Sequence, residues 1–177
     1  MTAQKNDNIY VLDSNIFLTG IDFNLIIGVI YTTPKVIDEV NKNATSRNIL
    51  TKIQVAIDCK KLIVKIPLLE YIQKVEKNSK ITGDLNALSE TDKELLALSL
   101  ELLKTSNEQV KIYTNDYSML NVCESLGIPY SPLIKKGIKK RILWEVYCPY
   151  CKEIHEPEDL FEQCERCGSK LKRRPKK

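Results

Sequence analysis

Four cysteines near the C-terminus have the spacing of metal ligands. They form two pairs, Cys148-Pro-Tyr-Cys151 and Cys164-Glu-Arg-Cys167, separated by twelve residues. Each pair can present two sulfurs from one tight turn, so the pairs together fit a four-thiolate zinc site. Four sulfurs complete the tetrahedral shell, and we therefore expect a structural zinc that leaves catalysis to other residues. The alternative is two disulfides, which are typical of secreted proteins, and no secretion signal is evident at the polar residues 1–8.

Four carboxylates form the second candidate site. Asp13 and Asp116 each follow a short apolar run that predicts a strand. Asp92 falls in the first turn of a predicted helix, on its apolar face, where an acid is costly unless it is paired or binds a cation. Glu39 lies on another predicted helix. Because clustered carboxylates repel one another and suit hard cations, the group predicts a site for Mg²⁺ or Mn²⁺.

Each of these acids also has a purely structural interpretation. Asp13 and Asp116 could cap the turns that follow them, and Asp92 could interact with a helix dipole. Glu39 could be a solvated residue of its helix. Residue type and spacing alone leave both interpretations open.

The surrounding pattern alternates strands with helices, which predicts a parallel sheet flanked by helices. The carboxyl ends of parallel strands share one edge, so the acids after two of them would meet there. Ser89 and Asp92 predict a capping box, and Gly127 predicts a helix C-cap. The predicted strands cover residues 9–12, 30–33, 62–66 and 110–114; the helices cover 36–43, 47–61, about 89–104 and 117–126; residues 78–86 are predicted as a loop.

Charge divides the chain into an acidic and a basic part. Residues 1–133 hold 14 Lys and Arg against 16 Asp and Glu, whereas residues 134–177 hold 13 against 7. We predict an α/β domain over 1–131, a basic linker over 132–143, a ribbon over 144–171 and a basic tail over 172–177. The two basic segments predict contacts with a nucleic-acid backbone, although they could also be solvated. The predicted contacts are Lys135, Lys136, Lys139, Lys140, Arg141, Lys172, Arg173 and Arg174.

Four acidic segments resemble the motifs of PIN-domain nucleases. They are Val11-Leu-Asp-Ser-Asn-Ile-Phe17, Pro34-Lys-Val-Ile-Asp-Glu-Val40, Leu88-Ser-Glu-Thr-Asp-Lys-Glu-Leu-Leu-Ala-Leu98 and Thr114-Asn-Asp-Tyr-Ser-Met119. A PIN-like domain followed by a four-cysteine ribbon resembles the archaeal Nob-one (NIN-one-binding) family of ribosome-biogenesis endonucleases. The resemblance extends from about residue 9 to residue 171. The order of its parts is specific, whereas each motif alone is short.

The resemblance implies that Asp13, Glu39, Asp92 and Asp116 hold catalytic Mg²⁺ or Mn²⁺, and that zinc in the ribbon is structural. It implies cleavage of precursor small-subunit (16S) rRNA at its mature 3′ end, with the ribosomal precursor and assembly factors as partners. Asn15 and Thr114 would support the site. Asn115 stands where related sequences often carry another acid, which leaves open whether the site holds one metal ion or two. Asp38 neighbours Glu39, but the motif position is that of Glu39.

Two other functions remain open at this point: a non-catalytic RNA-binding adaptor and a general, toxin-like PIN ribonuclease. The presence of all four motif acids disfavours the adaptor, and the ribbon disfavours the toxin. No segment reaches the roughly 20 apolar residues of a membrane helix, and a cytoplasmic location is expected. Cys59 and Cys123 are predicted to be buried free thiols, His155 an ordinary ribbon residue, and Trp144 and Tyr147 part of the ribbon core.

Overall fold

The computed structural model describes residues 8–131 and 142–176. A five-stranded sheet with the order β3-β2-β1-β4-β5 lies at the centre of the first segment, and all of its strand pairs are parallel. This arrangement confirms the predicted α/β class. The strands are β1 (Ile9–Leu12), β2 (Val29–Thr32), β3 (Leu62–Val64), β4 (Val110–Tyr113) and β5 (Tyr130–Ser131).

The two central strands define a crevice at the carboxyl edge of the sheet. β1 pairs with β4 so that Leu12 lies opposite Tyr113 at their carboxyl ends. β2 lies on the other side of β1, and β5 on the other side of β4, so the chain leaves the two strands in opposite directions. Such a switch point is where open α/β sheets bind ligands. Asp13 and residues 114–116 follow directly at this edge.

Six helices flank the sheet in the described part of the chain. Local signals set several of their boundaries. Thr33 accepts a hydrogen bond from the Val36 amide with Pro34 at the first helical position, and Ser89 and Asp92 form the predicted capping box. Gly127 ends α6 with a φ of 67°. The helices are α1 (Ser14–Leu18), α2 (Pro34–Asn43), α3 (Arg47–Asp58), α4 (Leu69–Thr82), α5 (Glu90–Thr105) and α6 (Tyr117–Leu126).

Helix α5 is the main support of the site. It packs against β1 and β4 on one side and against α4 and α6 on the other. Its buried residues include Leu95, Leu96, Leu98 and Ser99, and the Ser99 hydroxyl is satisfied by the Leu95 carbonyl at 2.8 Å. This burial fixes the N-terminus of α5, and with it Asp92, against the carboxyl edge of the sheet.

The ribbon is a three-stranded antiparallel sheet in which β6 (Trp144–Tyr147) lies between β7 (Ile154–His155) and β8 (Lys172–Pro175). Its core has few members, and two of them are cysteines. The buried set is Val146, Cys148, Leu160, Cys164 and Leu171. A core of this size is typical of domains whose stability depends on a metal ion.

Several sequence predictions differ from the structure. The prediction of a loop over 78–86 is wrong for its first part, because α4 continues to Thr82. Cys59 ends α3 and is exposed rather than buried, whereas Cys123 is buried as expected. Residues 172–175, assigned to a basic tail, form the third ribbon strand. Within 8–131 and 142–176 there is no helix with the length and apolar character needed to span a membrane.

Candidate active site and metal centre

Asp13 lies at the carboxyl end of β1 and is almost completely buried. Its Oδ1 accepts a hydrogen bond from the Ser14 hydroxyl at 3.2 Å, and its Oδ2 accepts one from the Thr114 hydroxyl at 3.0 Å. Burial raises the pKa of the Asp13 carboxyl above its ordinary value, the Thr114 and Ser14 hydrogen bonds lower it, and the charge of Glu39 raises it again. Hydrogen bonds therefore orient the Asp13 carboxylate, but they do not fully offset the cost of burying its negative charge.

Asp116 is joined to Asp13 through Thr114. The Asp116 amide donates to the Thr114 hydroxyl oxygen at 3.1 Å, while that hydroxyl donates to Asp13. Asp116 also caps α6, because its Oδ1 accepts a hydrogen bond from the Ser118 amide at 2.6 Å. Thr114 is fully buried, and it lies where a residue supporting the acids was predicted.

Asp92 faces the same place from the start of α5. Its Oδ2 accepts hydrogen bonds from the Ser89 amide at 2.8 Å and from the Ser89 hydroxyl at 2.7 Å. Burial raises the pKa of the Asp92 carboxyl, the Ser89 hydrogen bonds lower it, and the negative charges of Asp13 and Asp116 raise it. Asp92 therefore lies close enough to Asp13 and Asp116 for their negative charges to act on its carboxyl.

Glu39 reaches the site from α2 and is half-buried, whereas the neighbouring Asp38 is exposed. The charge of Glu39 contributes to the raised pKa of Asp13. Of the two adjacent acids, Glu39 is the one whose charge acts on Asp13, and its role as a metal ligand stays a prediction. Asn15, the other predicted supporting residue, lies exposed on α1.

We call Asp13, Glu39, Asp92 and Asp116 the acidic quartet. The ion pairs formed within 8–131 and 142–176 join lysine and arginine to other acids, and none includes a member of the quartet. An uncompensated cluster of carboxylates, two of them with raised pKa values, fits a cation.

The spacing of the quartet indicates how such a cation would be held. In the described residues, groups of three or more candidate ligand atoms that all lie within 4.8 Å of one another occur only in the ribbon. The quartet is more open than such a group. Mg²⁺ keeps several of its water ligands and uses few carboxylates directly, so an open set of acids is compatible with such an ion.

The four ribbon cysteines converge as their spacing predicts. The sulfurs of Cys148 and Cys167 lie 3.3 Å apart and those of Cys151 and Cys164 lie 3.7 Å apart, with all four within 4.8 Å of one another. Zinc–sulfur bonds of about 2.3 Å in a tetrahedron place the sulfurs at about such separations. A disulfide needs about 2.05 Å, so the thiols are free and the disulfide alternative is wrong.

The two cysteine turns have the same backbone conformation. Lys152 and Gly168 follow the pairs with φ of 66° and 72°, and their amides donate to the carbonyls of Cys148 and Cys164 at 3.0 and 2.7 Å. Hydrogen bonds from the Ser169 amide and hydroxyl lower the pKa of the Cys167 thiol to about 6. Against a hydrogen bond from the Glu153 amide, burial and the neighbouring cysteines raise the pKa of the Cys151 thiol to about 12. A thiolate, the form that binds metal, is therefore accessible at neutral pH at Cys167.

The predicted RNA contacts fall into three groups. Lys135, Lys136, Lys139, Lys140 and Arg141 lie outside the described residues. Lys172 is exposed and Arg174 is partly exposed. The Arg174 Nε lies 2.7 Å from Glu145 Oε1, and the Arg174 guanidinium lies over the Tyr147 ring. Arg173, in contrast, is bound internally to Asp84 at 2.7 Å, so its guanidinium is directed into the protein rather than towards solvent.

The buried contact of Asp84 with Arg173 and Asn121 is what sequence reasoning missed, since Arg173 was predicted to contact RNA. Asp84 is fully buried, and its carboxylate accepts hydrogen bonds from the Arg173 guanidinium at 2.7 Å and from the Asn121 side-chain Nδ2 at 2.6 Å. Burial raises the pKa of Asp84, while hydrogen bonds from Asn121 and Thr82 and then the Arg173 charge lower it. The only sequence signal was the pair Gly83-Asp84, which gave no partner.

Comparison with known proteins agrees with this fold. Residues 10–102, just over half of the chain, match the family described as "PIN domain of ribonuclease". The parallel sheet and this match define a PIN-domain ribonuclease.

Similarity to whole proteins extends through the ribbon. The chain is 37% identical over 167 residues to Endoribonuclease Nob1 of Pyrococcus abyssi, covering 94% of both. It is 32% identical to Ribonuclease VapC1 of Thermoplasma acidophilum, covering 93% of this chain and 77% of the relative. It is 36% identical over 72 residues to the 20S-pre-rRNA D-site endonuclease nob1 of Schizosaccharomyces pombe, covering 41% and 17%. The chain belongs to the Nob1 family of endoribonucleases, and the predicted resemblance is confirmed.

Proposed function

We propose that this chain is a divalent-metal-dependent endoribonuclease that cleaves precursor small-subunit (16S) rRNA to form its mature 3′ end. The observation that carries the proposal is the acidic quartet, four carboxylates at the switch point of a PIN sheet that pair with no lysine or arginine of the described residues. The name of the yeast relative, a pre-rRNA D-site endonuclease, supports the substrate class. Such a substrate is intracellular, so the proposal places the protein in the cytoplasm.

The quartet would hold Mg²⁺ or Mn²⁺ against the scissile phosphate. When bound, such an ion polarises the phosphate and lowers the pKa of the attacking water. The protein contributes the orientation of the carboxylates. Ser14 and Thr114 fix Asp13, Ser89 fixes Asp92, and the first turn of α6 fixes Asp116. Ligands held in place before the substrate arrives need no reorganisation during the reaction.

The ribbon and the basic segments would bind the substrate backbone. The structural zinc is assigned to Cys148, Cys151, Cys164 and Cys167, because their sulfurs fill a tetrahedral shell. Lys172 and Arg174 offer exposed positive charge on β8, and the segment 135–141 holds five further cations. Contacts of this type give salt-dependent affinity without reading sequence. We therefore expect the assembled ribosomal precursor to supply the choice of cleavage site.

The test is cleavage of an RNA that spans the 3′ end of the small-subunit rRNA precursor. Wild type is compared with Asp13→Asn in Mn²⁺, in Mg²⁺ and in EDTA, and the products are mapped. We expect one metal-dependent cut at the mature end and none from Asp13→Asn. Asp38→Asn, which changes an exposed acid outside the quartet, is the matched control and is expected to cut normally.

Two outcomes would replace the proposal. Scattered cleavage of unrelated RNAs would indicate a general ribonuclease, the alternative that the similarity to Ribonuclease VapC1 keeps in view. Metal-independent binding without cleavage, on naked RNA and on the precursor particle alike, would indicate an RNA-binding adaptor.

A further inference from the structure

The ribbon is docked on the nuclease domain through an interface that has a buried polar centre. Gly83 lies against the backbone of Trp144, and a Cβ on Gly83 would stand 2.4 Å from the Trp144 carbonyl oxygen. This contact is closer than any side chain would permit. Asn121 extends the interface by donating to the Ile142 carbonyl at 2.7 Å and accepting from the Ile142 amide at 2.8 Å.

Arg173 is the central residue of this interface. One guanidinium nitrogen donates to buried Asp84 at 2.7 Å, and a second donates to the Ser118 hydroxyl at 3.0 Å. The guanidinium also lies over the Trp144 ring, 4.6 Å from its centre. A planar group with several donors can make these contacts together, whereas lysine has a single ammonium group.

The contact with Ser118 leads directly to the acidic quartet. Ser118 holds Arg173 with its hydroxyl and Asp116 with its amide, which donates to Asp116 Oδ1 at 2.6 Å. Asn121, one turn further along α6, binds both Asp84 and Ile142. The N-terminal half of α6 is therefore held from the ribbon side at two points, and the Ser118 contact lies in the first turn, which orients Asp116.

The position of Arg173 depends in turn on the ribbon fold. Arg173 lies on β8 opposite Val146 of β6, and Leu171 just before β8 belongs to the same small core as Cys148 and Cys164. If the cysteine cluster does not form, that core is lost. β8 then loses its pairing with β6, and this pairing is what places Arg173.

We propose that Arg173 is a positioning residue, which fixes the first turn of α6 and with it the carboxylate of Asp116. The nuclease centre is then complete only when the ribbon is folded and docked. This inference rests on the role of Asp116 in the proposed function. It also separates Arg173 from Lys172 and Arg174, whose proposed task is binding of the RNA backbone.

The test compares Arg173→Met with Lys80→Met. Lys80 also forms an ion pair across the domain boundary, with Glu158, but both side chains are largely solvent-exposed. For Arg173→Met we expect Mn²⁺ affinity, followed by EPR of free Mn²⁺, and single-turnover cleavage each to fall by about 10- to 100-fold. RNA affinity measured without added Mn²⁺ or Mg²⁺, with the ribbon zinc retained, is expected to change less than about twofold, because no phosphate contact is lost. Lys80→Met is expected to match wild type in all three.

Hydrogen exchange of the Ser118 amide reports the positioning without any activity measurement. Arg173→Met is expected to speed this exchange by about tenfold, the effect of losing about 1.4 kcal/mol of local stability. Arg173→Lys is expected to lie between Arg173→Met and wild type, since it can keep the Asp84 pair but not both contacts.

A second variant keeps the test valid if Arg173→Met unfolds because Asp84 is left without its partner. Asp84→Asn/Arg173→Met removes both charges and avoids the uncompensated buried carboxylate. We expect the double variant to fold and still to bind Mn²⁺ weakly, because the Ser118 contact is missing.

The outcomes separate this inference from the proposed function. Wild-type Mn²⁺ affinity and Ser118 exchange in a folded Arg173 variant would overturn the inference, even if Asp13→Asn abolishes cleavage. Weakened RNA binding with unchanged Mn²⁺ affinity would also overturn it and make Arg173 an RNA contact. Full activity of Asp13→Asn would sink the proposed function, and Ser118 exchange would still decide the role of Arg173.

Discussion

The Thr114 hydroxyl lies 3.0 Å from Asp13 Oδ2, although 101 positions separate the two residues in the sequence. The oxygen of the Thr114 hydroxyl also accepts a hydrogen bond from the Asp116 amide. A hydroxyl can donate once and accept at the same time, so Thr114 sets the distance between two carboxylates at the ends of neighbouring strands.

Thr114→Val tests this relationship, because valine keeps the shape and removes the hydroxyl. We expect cleavage to fall about 10- to 100-fold, as for other residues that orient metal ligands. The free energy of unfolding is expected to fall by about 1–3 kcal/mol, since a buried amide loses its acceptor. Single-turnover cleavage and urea unfolding measure the two effects. Thr114→Ser restores the hydroxyl and is expected to recover most of the activity; a Val variant as active as Ser would contradict the role.

Asp13→Asn is expected to stabilise the metal-free protein. The folded-state pKa of Asp13 lies above its ordinary value of 3.8, so the folded chain binds more protons than the unfolded chain in that range. Stability is then lost as the pH rises through the raised pKa, and it is fully present below 3.8. Without added Mn²⁺ or Mg²⁺, and with the ribbon zinc retained, we expect the variant to gain about 0.5–2 kcal/mol at neutral pH, typical of removing strain at a functional site.

The measurement is urea unfolding of Asp13→Asn and wild type without added Mn²⁺ or Mg²⁺, with zinc supplied to both, at neutral pH and again below pH 3.8. The difference is expected to shrink in acid, where both side chains are neutral. Mn²⁺ is expected to stabilise wild type more than the variant. A variant less stable than wild type at neutral pH would show that the carboxylate is better satisfied without metal than its burial indicates.

Glu39→Gln and Asp38→Asn form a matched pair on α2. Each removes one negative charge, but only Glu39 faces Asp13. We expect Glu39→Gln to weaken Mn²⁺ binding and cleavage by about 10-fold or more, and Asp38→Asn to change both less than about twofold. Titration with Mn²⁺ measures metal binding in each variant, and cleavage at saturating Mn²⁺ measures the effect on the reaction itself. Equal effects of both variants would point to general electrostatics rather than a ligand.

The position of Asp13 and Asp116 at the carboxyl edge of the sheet could be predicted because the signals for it are local in the sequence. Apolar runs of strand length, each followed by an acid, place Asp13 and Asp116 at one edge as soon as the sheet is parallel. The capping box of Ser89 and Asp92 is readable from two residues. The cysteine site depends on spacing alone, and the structure brings its four sulfurs together.

Helix α4 was missed because two of its buried positions are polar. Its inner face contains Val75, Ser79 and Thr82, and the hydroxyls donate to the Val75 and Ser79 carbonyls one turn earlier. Such internal hydrogen bonds allow burial of serine and threonine, but they remove the apolar periodicity by which a helix is recognised. The N-cap residue Leu68 makes no side-chain hydrogen bond, so the start of α4 carried no signal either.

The docking of the ribbon could not be predicted because it joins opposite charges 89 positions apart. Asp84 and Arg173 are residue types that are mostly exposed, and an arginine in a basic run is most simply interpreted as a phosphate contact. Only the folded chain shows that Asp84 has no access to solvent.

The two cysteine turns predict an asymmetric response to substitution. Gly168 has a φ of 72°, and a Cβ added there would meet nothing within 4 Å, so Gly168→Ala meets backbone strain but no clash. We expect it to destabilise the zinc-bound ribbon by about 1 kcal/mol.

Lys152 already occupies the same conformation, and Lys152→Gly relieves strain while adding freedom to the unfolded chain. Those effects oppose each other, so we expect a change within about 0.5 kcal/mol. Competition for zinc with a chromophoric chelator measures both variants, with wild type as reference. Equal zinc affinity of Gly168→Ala and wild type would show that the positive φ at this turn is not what holds the site.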